Sequence, residues 1–408
     1  LDTDHVFRVR LLGLFGASTL LGDHVVAHPE LWPVCGEDLP GGRSMLATML
    51  DSVGAEEGEG VDEDGNPLHA DDSLLRRATV TGAEADRAMR TAYRTILARV
   101  AAIDLAGTFV PRRGEAPTPK GRAGYPDFVP FEVIADRLAD AADAALTAAL
   151  SVAVAKVFPT GPVPVKIAVL AMGKCGALEL NYISDVDVIF VAEPADASTT
   201  RLAGEFINIG CRCFFEVDAA LRPEGKHGAL VRTLDSHLTY YRRWASTWEF
   251  QALLKARPMT GDLDLGRAYV DELAPMVWTA SQREDFVPDV QAVRRRVMEH
   301  GPEELASREL WGGSGGGRDV EFAVQLLQLV HGRADESLRV LSTVEALNAL
   351  VAGGYVGRED GRTLIACYSF MRLLEHRMQL SHLKRTHLLP EVSDRASRTR
   401  LARTSGSR

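Results

Sequence analysis

Ser184-Asp185-Val186-Asp187-Val188-Ile189-Phe190 sets two carboxylates one residue apart inside an apolar run. A strand alternates its faces with period two, so Asp185 and Asp187 point to one side and Val186 and Val188 to the other. Two acids side by side on a strand repel each other unless a cation lies between them. Hard divalent ions such as Mg2+ take oxygen ligands and commonly share them with substrate phosphates. Upstream, the apolar run Lys166 to Ala171 passes into Ala171-Met172-Gly173-Lys174-Cys175-Gly176, a strand turning into a helix. Backbone N–H groups at such a turn can take a phosphate, and Gly173 lets the backbone approach closely. Downstream, Glu216-Val217-Asp218 reads as another strand, with Glu216 and Asp218 on one face. If it lies beside the Asp185 strand, Asp185, Asp187 and Asp218 converge, enough to hold two Mg2+ ions. Such a pair, about 3.5–4 Å apart, stabilises both the attacking and the leaving oxygen of an in-line displacement. Alone, Asp-x-Asp on a strand is more often a solvated edge, and Gly-Lys is usually only a turn. The apolar setting and the ordered spacing favour a metal-dependent site for phosphoryl or nucleotidyl transfer.

The rest of the chain is consistent with an ordinary globular protein. Its 408 residues are enough for two or three domains with a substantial core. A net charge of -10 argues against broad nucleic-acid binding. The longest apolar run without a charge, Ala144 to Ala155, is too short to span a bilayer. No signal peptide is visible, and an opening Leu1 rather than Met suggests a fragment. Five cysteines, an odd number, make no disulfide framework and read as reduced thiols of a cytoplasmic protein.

Helical periodicity dominates residues 6–50, 89–103 and 131–157. Between these lie an acidic, glycine-containing stretch at 51–72 and a Pro-, Gly- and Arg-rich stretch at 110–130, both read as loops. Asp62, Asp64 and Asn66 look like the start of a calcium loop, but the turn glycine is one position early and position twelve is Ser73. Pro159-Thr160-Gly161-Pro162 marks a boundary. Strands are expected at 166–171, 186–191, 216–219 and 229–232, with a helix at 201–214, and helices return from about Leu234 onward, including 320–331 and 362–384. The expected domains are a helical region 1–158, a catalytic unit 159–262, a helical bundle 263–392 and a disordered tail 393–408. That tail carries five arginines and no apolar period. Trp311-Gly312-Gly313-Ser314-Gly315-Gly316-Gly317 resembles a flexible linker.

These runs together resemble a known family. Gly173-Lys174, the Asp185-x-Asp187 pair and Asp218 look like the nucleotidyltransferase fold shared with DNA polymerase β. The longer runs are similar to the glutamine synthetase adenylyltransferase/adenylyl-removing enzymes. They are Glu179-Leu180-Asn181-Tyr182-Ile183-Ser184, Val217-Asp218-Ala219-Ala220-Leu221-Arg222-Pro223, Thr247 through Arg257, and Arg318-Asp319-Val320-Glu321-Phe322. The resemblance implies an α+β fold, with a mixed-sheet nucleotidyltransferase domain flanked by N-terminal and C-terminal helical domains. Family members carry two homologous halves, one removing AMP from a tyrosine of glutamine synthetase by phosphorolysis and one attaching AMP from ATP. Glu179-Leu180-Asn181 and Leu254-Lys255-Ala256-Arg257 look more like the N-terminal, adenylyl-removing half of actinobacterial members.

By that resemblance Asp185, Asp187 and Asp218 bind the metals, and Gly173, Lys174 and Ser184 position phosphate. Arg222 and Lys226 are inferred contacts to inorganic phosphate or to the AMP phosphate, with a surface salt bridge as the plain alternative. Lys255 and Arg257 are further candidates, against pairing with Glu249 or the acidic loop. Arg318, Asp319 and Glu321 read as an interdomain salt-bridge cluster. Three functions are open: phosphorolysis giving ADP, adenylylation from ATP, and a non-catalytic half that docks glutamine synthetase or a PII-type signal protein. No membrane or nucleic-acid partner is expected.

Overall fold

The computed structural model describes residues 4–55, 75–108, 128–161, 163–284, 286, 288–290, 292, 308–313 and 315–406. The expected loops at 56–72 and 110–127 lie outside these residues. The first layer is helical: α1 (His5–Ala17), α2 (Thr19–Ala27), α3 (Gly42–Asp51), α4 (Gly82–Gly107) and α5 (Phe131–Val157). Ser18 breaks the first pair and caps the second, accepting from the Leu21 N–H. The alanine-rich α5 pairs high helix propensity with small side chains, so neighbours pack closely on several sides. It alone among the described helices is long and apolar enough to cross a membrane, yet 83% of that window is buried inside the protein. It is a core helix, packed against α3 and α4 and against the sheet that follows.

That sheet is mixed. β1 (Lys166–Ala171) pairs antiparallel with β2 (Val186–Glu193), Ala171 opposite Val188. β3 (Val217–Asp218) and β4 (Val231–Arg232) both run parallel to β2. The remaining strand, β5 (Arg257–Gly261), lies antiparallel on the other side of β1. Alternation then divides the side chains. Ile167, Val169, Ala171, Val186, Val188 and Phe190 share one core with α5 and with α7 (Ala197–Cys213). Ala168, Leu170, Ile189 and Val191 face a second core. It is built with α8 (Leu234–Arg243), α9 (Thr247–Leu253) and α10 (Leu263–Thr279). One turn of helix, α6 (Gly173–Gly176), follows β1.

β5 is a strand beyond those expected, within the stretch after Leu234 where helices return. Its Pro258 and Gly261 read as breakers, but a proline is tolerated on an edge strand, and a bulge between Val169 and Leu170 absorbs the irregularity. α7 begins at Ala197 rather than Arg201 because Asp196 and Thr199 form a capping box. The packing does not divide at 159 or 263, since α5 and α10 each cover a face of the sheet.

The C-terminal helices are α11 (Gly317–His331), α12 (Thr343–Ala352), α13 (Arg358–His382) and α14 (Arg395–Thr404). Two expectations change here. The glycine run is a built turn: Gly317 N donates to Leu310 O, and Glu309 accepts from the N–H groups of Trp311 and Gly312. A Cβ on Gly317 would lie 2.5 Å from the buried Trp311 ring, so the missing side chain is what lets that ring pack. Over 395–404 the tail is a helix rather than disordered. Asp394 caps it, accepting from Ser397 N, and Arg377 on α13 donates to Thr404 O.

Candidate active site

Parallel pairing of β2 with β3 sets Asp187 opposite Asp218, and Asp185 stands immediately ahead of β2. Glycine at 173 makes room for this arrangement. It holds φ +54, and a Cβ there would meet Asp187 Oδ2 at 2.7 Å. The Met172 N–H donates to Asp187 O at 2.9 Å, tying the turn to β2. Ser184 Oγ lies 3.4 Å from Asp185 Oδ1 and donates to it. Burial, then the charges of Asp185 and Asp218, push the Asp187 carboxyl up to about 6, against the pull of Arg385 and Lys174.

The three acids are adjacent but not closed into a cage. Among the described residues no group of three His, Cys, Asp or Glu side chains is arranged so that it could hold a metal ion. Two of the acids are held by other partners. Asp185 Oδ2 pairs with Arg385 Nη1 at 3.0 Å, and Asp218 Oδ1 accepts from Ala220 N at 2.7 Å. The donor chemistry nevertheless fits a hard divalent ion. Clustered carboxylate oxygens include one whose anionic form is disfavoured by burial and by its acidic neighbours, a deficit that a cation between them offsets.

Most of the expected phosphate-binding cations have other work. Lys174 Nζ lies 3.9 Å above the Trp311 ring and 3.7 Å from Glu375, docking the C-terminal helices rather than facing open solvent. Arg222 donates to the carbonyls of Ala219, Lys226 and Gly228, so it shapes its own loop. Lys226 is exposed beside it. Buried Lys255 donates to Leu341 O. Arg257 makes a bidentate pair with Asp143 of α5, at 2.6 and 3.0 Å. Neither reaches Glu249, which caps α9 by accepting from Ser246 N.

Of the expected interdomain cluster, Glu321 accepts from Tyr368 OH at 3.0 Å, and Asp319 accepts from Gly315 N. The larger interdomain contact is Glu179, which accepts from Ser342 Oγ and from Thr343 N and Oγ1, capping α12. Sequence reasoning missed both this role and Arg385, which lies 200 residues from Asp185 along the chain.

Comparison with known proteins gives two family matches along the chain. The glutamate-ammonia ligase adenylyltransferase family model matches residues 124–271, and the PII-uridylyltransferase model matches 289–408. The bifunctional glutamine synthetase adenylyltransferase/adenylyl-removing enzyme of Corynebacterium efficiens is 59% identical over 99% of this chain and 39% of its own length. Its namesake from Nocardia farcinica is 58% identical over 99% and 38%, and that of Mycobacterium tuberculosis 53% over 98% and 36%. The chain thus spans roughly two fifths of the length of the curated relatives it matches, in their N-terminal part.

Proposed function

The chain belongs to the family of bifunctional glutamine synthetase adenylyltransferase/adenylyl-removing enzymes, and from that premise we propose that it removes AMP from an adenylylated tyrosine of glutamine synthetase by Mg2+-dependent phosphorolysis. The observation that carries the reading is the β2–β3 register, which puts Asp187 beside Asp218 with Asp185 one step ahead. An oxygen of inorganic phosphate bonds to the adenylyl phosphorus, and the bond from phosphorus to the tyrosyl oxygen breaks. That oxygen leaves with the electron pair and is protonated, and ADP is released. Asp185, Asp187 and Asp218 would hold the metal, which when bound offsets charge on the attacking and leaving oxygens. Phosphate arrives as an oxyanion, so no general base is required of the protein. Gly173 keeps the Asp187 carboxylate in place, and Ser184 steadies Asp185.

Adenylylation from ATP would use the same acids, so the direction rests on similarity to the N-terminal part of the relatives. Similarity of 289–408 to PII-uridylyltransferase supports a PII-type signal protein as the regulatory partner. The test is to incubate the chain with adenylylated glutamine synthetase, phosphate and Mg2+, and separately with unmodified glutamine synthetase, ATP and Mg2+. ADP formed only in the first mixture is expected, and it should vanish in Asp185→Asn. AMP transfer only in the second, or phosphorolysis undiminished by Asp185→Asn, overturns the proposal.

A further inference from the structure

Bringing inorganic phosphate against a phosphodiester sets anion against anion, and the site must supply positive charge. Lys174, Arg222, Lys255 and Arg257 each have hydrogen-bond or ion-pair partners other than the three acids. Arg385 differs. Among the described residues it is the cation that ion-pairs with one of the three acids, Nη1 to Asp185 Oδ2 at 3.0 Å, and its side chain remains 51% exposed. Its backbone, in contrast, is anchored. Leu383 ends α13 in a left-handed conformation with φ +44. His387 Nδ1 lies 2.6 Å from Glu375, and Leu389 exchanges hydrogen bonds with Arg308 at 2.9 and 2.8 Å. A fixed base with a half-exposed guanidinium tip is the build of a side chain that changes partner without a change of fold.

We propose that Arg385 serves the phosphorolysis site in two positions: as the resting counter-ion of Asp185, and, once a divalent cation takes that carboxylate, as a ligand to the incoming phosphate. The guanidinium and the metal compete for the same oxygen, so the first position opposes metal binding. The second uses the planar fork that suits phosphate oxygens. The phosphate arm rests on the proposed phosphorolysis; the metal arm does not.

Two measurements on the 408-residue chain test this. Mn2+ titrated calorimetrically without nucleotide or phosphate should bind Arg385→Gln roughly three- to fivefold more tightly than the wild type, the scale of an exposed ion pair. In the phosphorolysis assay, Arg385→Gln should raise the KM for phosphate about tenfold, with a smaller change in kcat, and Arg385→Lys should recover part of it. Unchanged or weaker Mn2+ binding by Arg385→Gln overturns the counter-ion role. Tighter Mn2+ binding with an unchanged phosphate KM overturns the phosphate role. Asp185→Asn separates the two levels. If that variant binds Mn2+ as well as the wild type, the metal-site reading fails; if it loses Mn2+ binding, the Arg385 result stands on its own.

Discussion

Gly173 and Asp187 are a fitted pair. A methyl at 173 would sit 2.7 Å from the carboxylate and force a side-chain-bearing residue to hold φ +54. Gly173→Ala should therefore cost about 1–3 kcal/mol of stability, a drop of a few degrees in Tm by thermal melting. The carboxylate can swing aside, so activity should suffer more than folding: misplacing a reacting group by about 1 Å can cost on the order of 100-fold. Phosphorolysis rates of Gly173→Ala beside Asp185→Asn check this, with near-normal turnover in the alanine variant as the contrary result. At this scale the acids were legible in the sequence, because period-two alternation fixes which side chains share a face. The cations were not. Lys174 and Arg257 stand in the quoted runs yet pair with Glu375 and Asp143, and only the end of α13 brings Arg385 to Asp185.

The β5 strand is held by a contact no local pattern announces. Arg257 at its start pairs with Asp143 in the middle of α5, fixing the strand edge to the core helix. The two side chains keep 18% and 20% of their surface exposed, so the pair is not fully dry. Arg257→Met alone, which strands the carboxylate, should cost roughly 2–3 kcal/mol in urea denaturation, somewhat under the loss for a fully buried pair. Arg257→Met with Asp143→Leu should recover most of that, and a double variant as unstable as the single one would contradict the assignment. Elements with strong apolar periods, such as α5, β1 and β2, were readable because burial dictates their pattern. β5 hid behind Pro258 and Gly261. α14 hid behind its arginines, since it is held by a cap and by Arg377 rather than by an apolar stripe.

Across the whole molecule, α13 clamps the C-terminal helices onto the rest through buried charge. Arg377 meets Asp104 of α4 at 2.6 Å with both side chains fully buried, and Tyr182 OH donates to the same carboxylate at 2.9 Å. Two residues before Arg377 on the same helix, Glu375 receives Lys174 and His387. Burial alone would raise both acids. At Asp104 the charge and hydrogen bonds of Arg377 outweigh it, and at Glu375 Lys174, His387 and Arg372 do, leaving both below the usual carboxylate range. A depressed folded value gives stability that is complete above the unfolded value, about 4 for Asp and Glu, and lost as pH falls through the folded one. At pH 7 Asp104→Asn should cost about 3–5 kcal/mol, because Arg377 loses its buried counter-charge. Below about pH 4 the wild type gives up the same advantage, so the gap between wild type and variant should narrow. Urea denaturation of both proteins at pH 7, 5 and 3 measures that gap. One that stays constant across the series would mean that packing, and not the ion pair, holds α13 against α4.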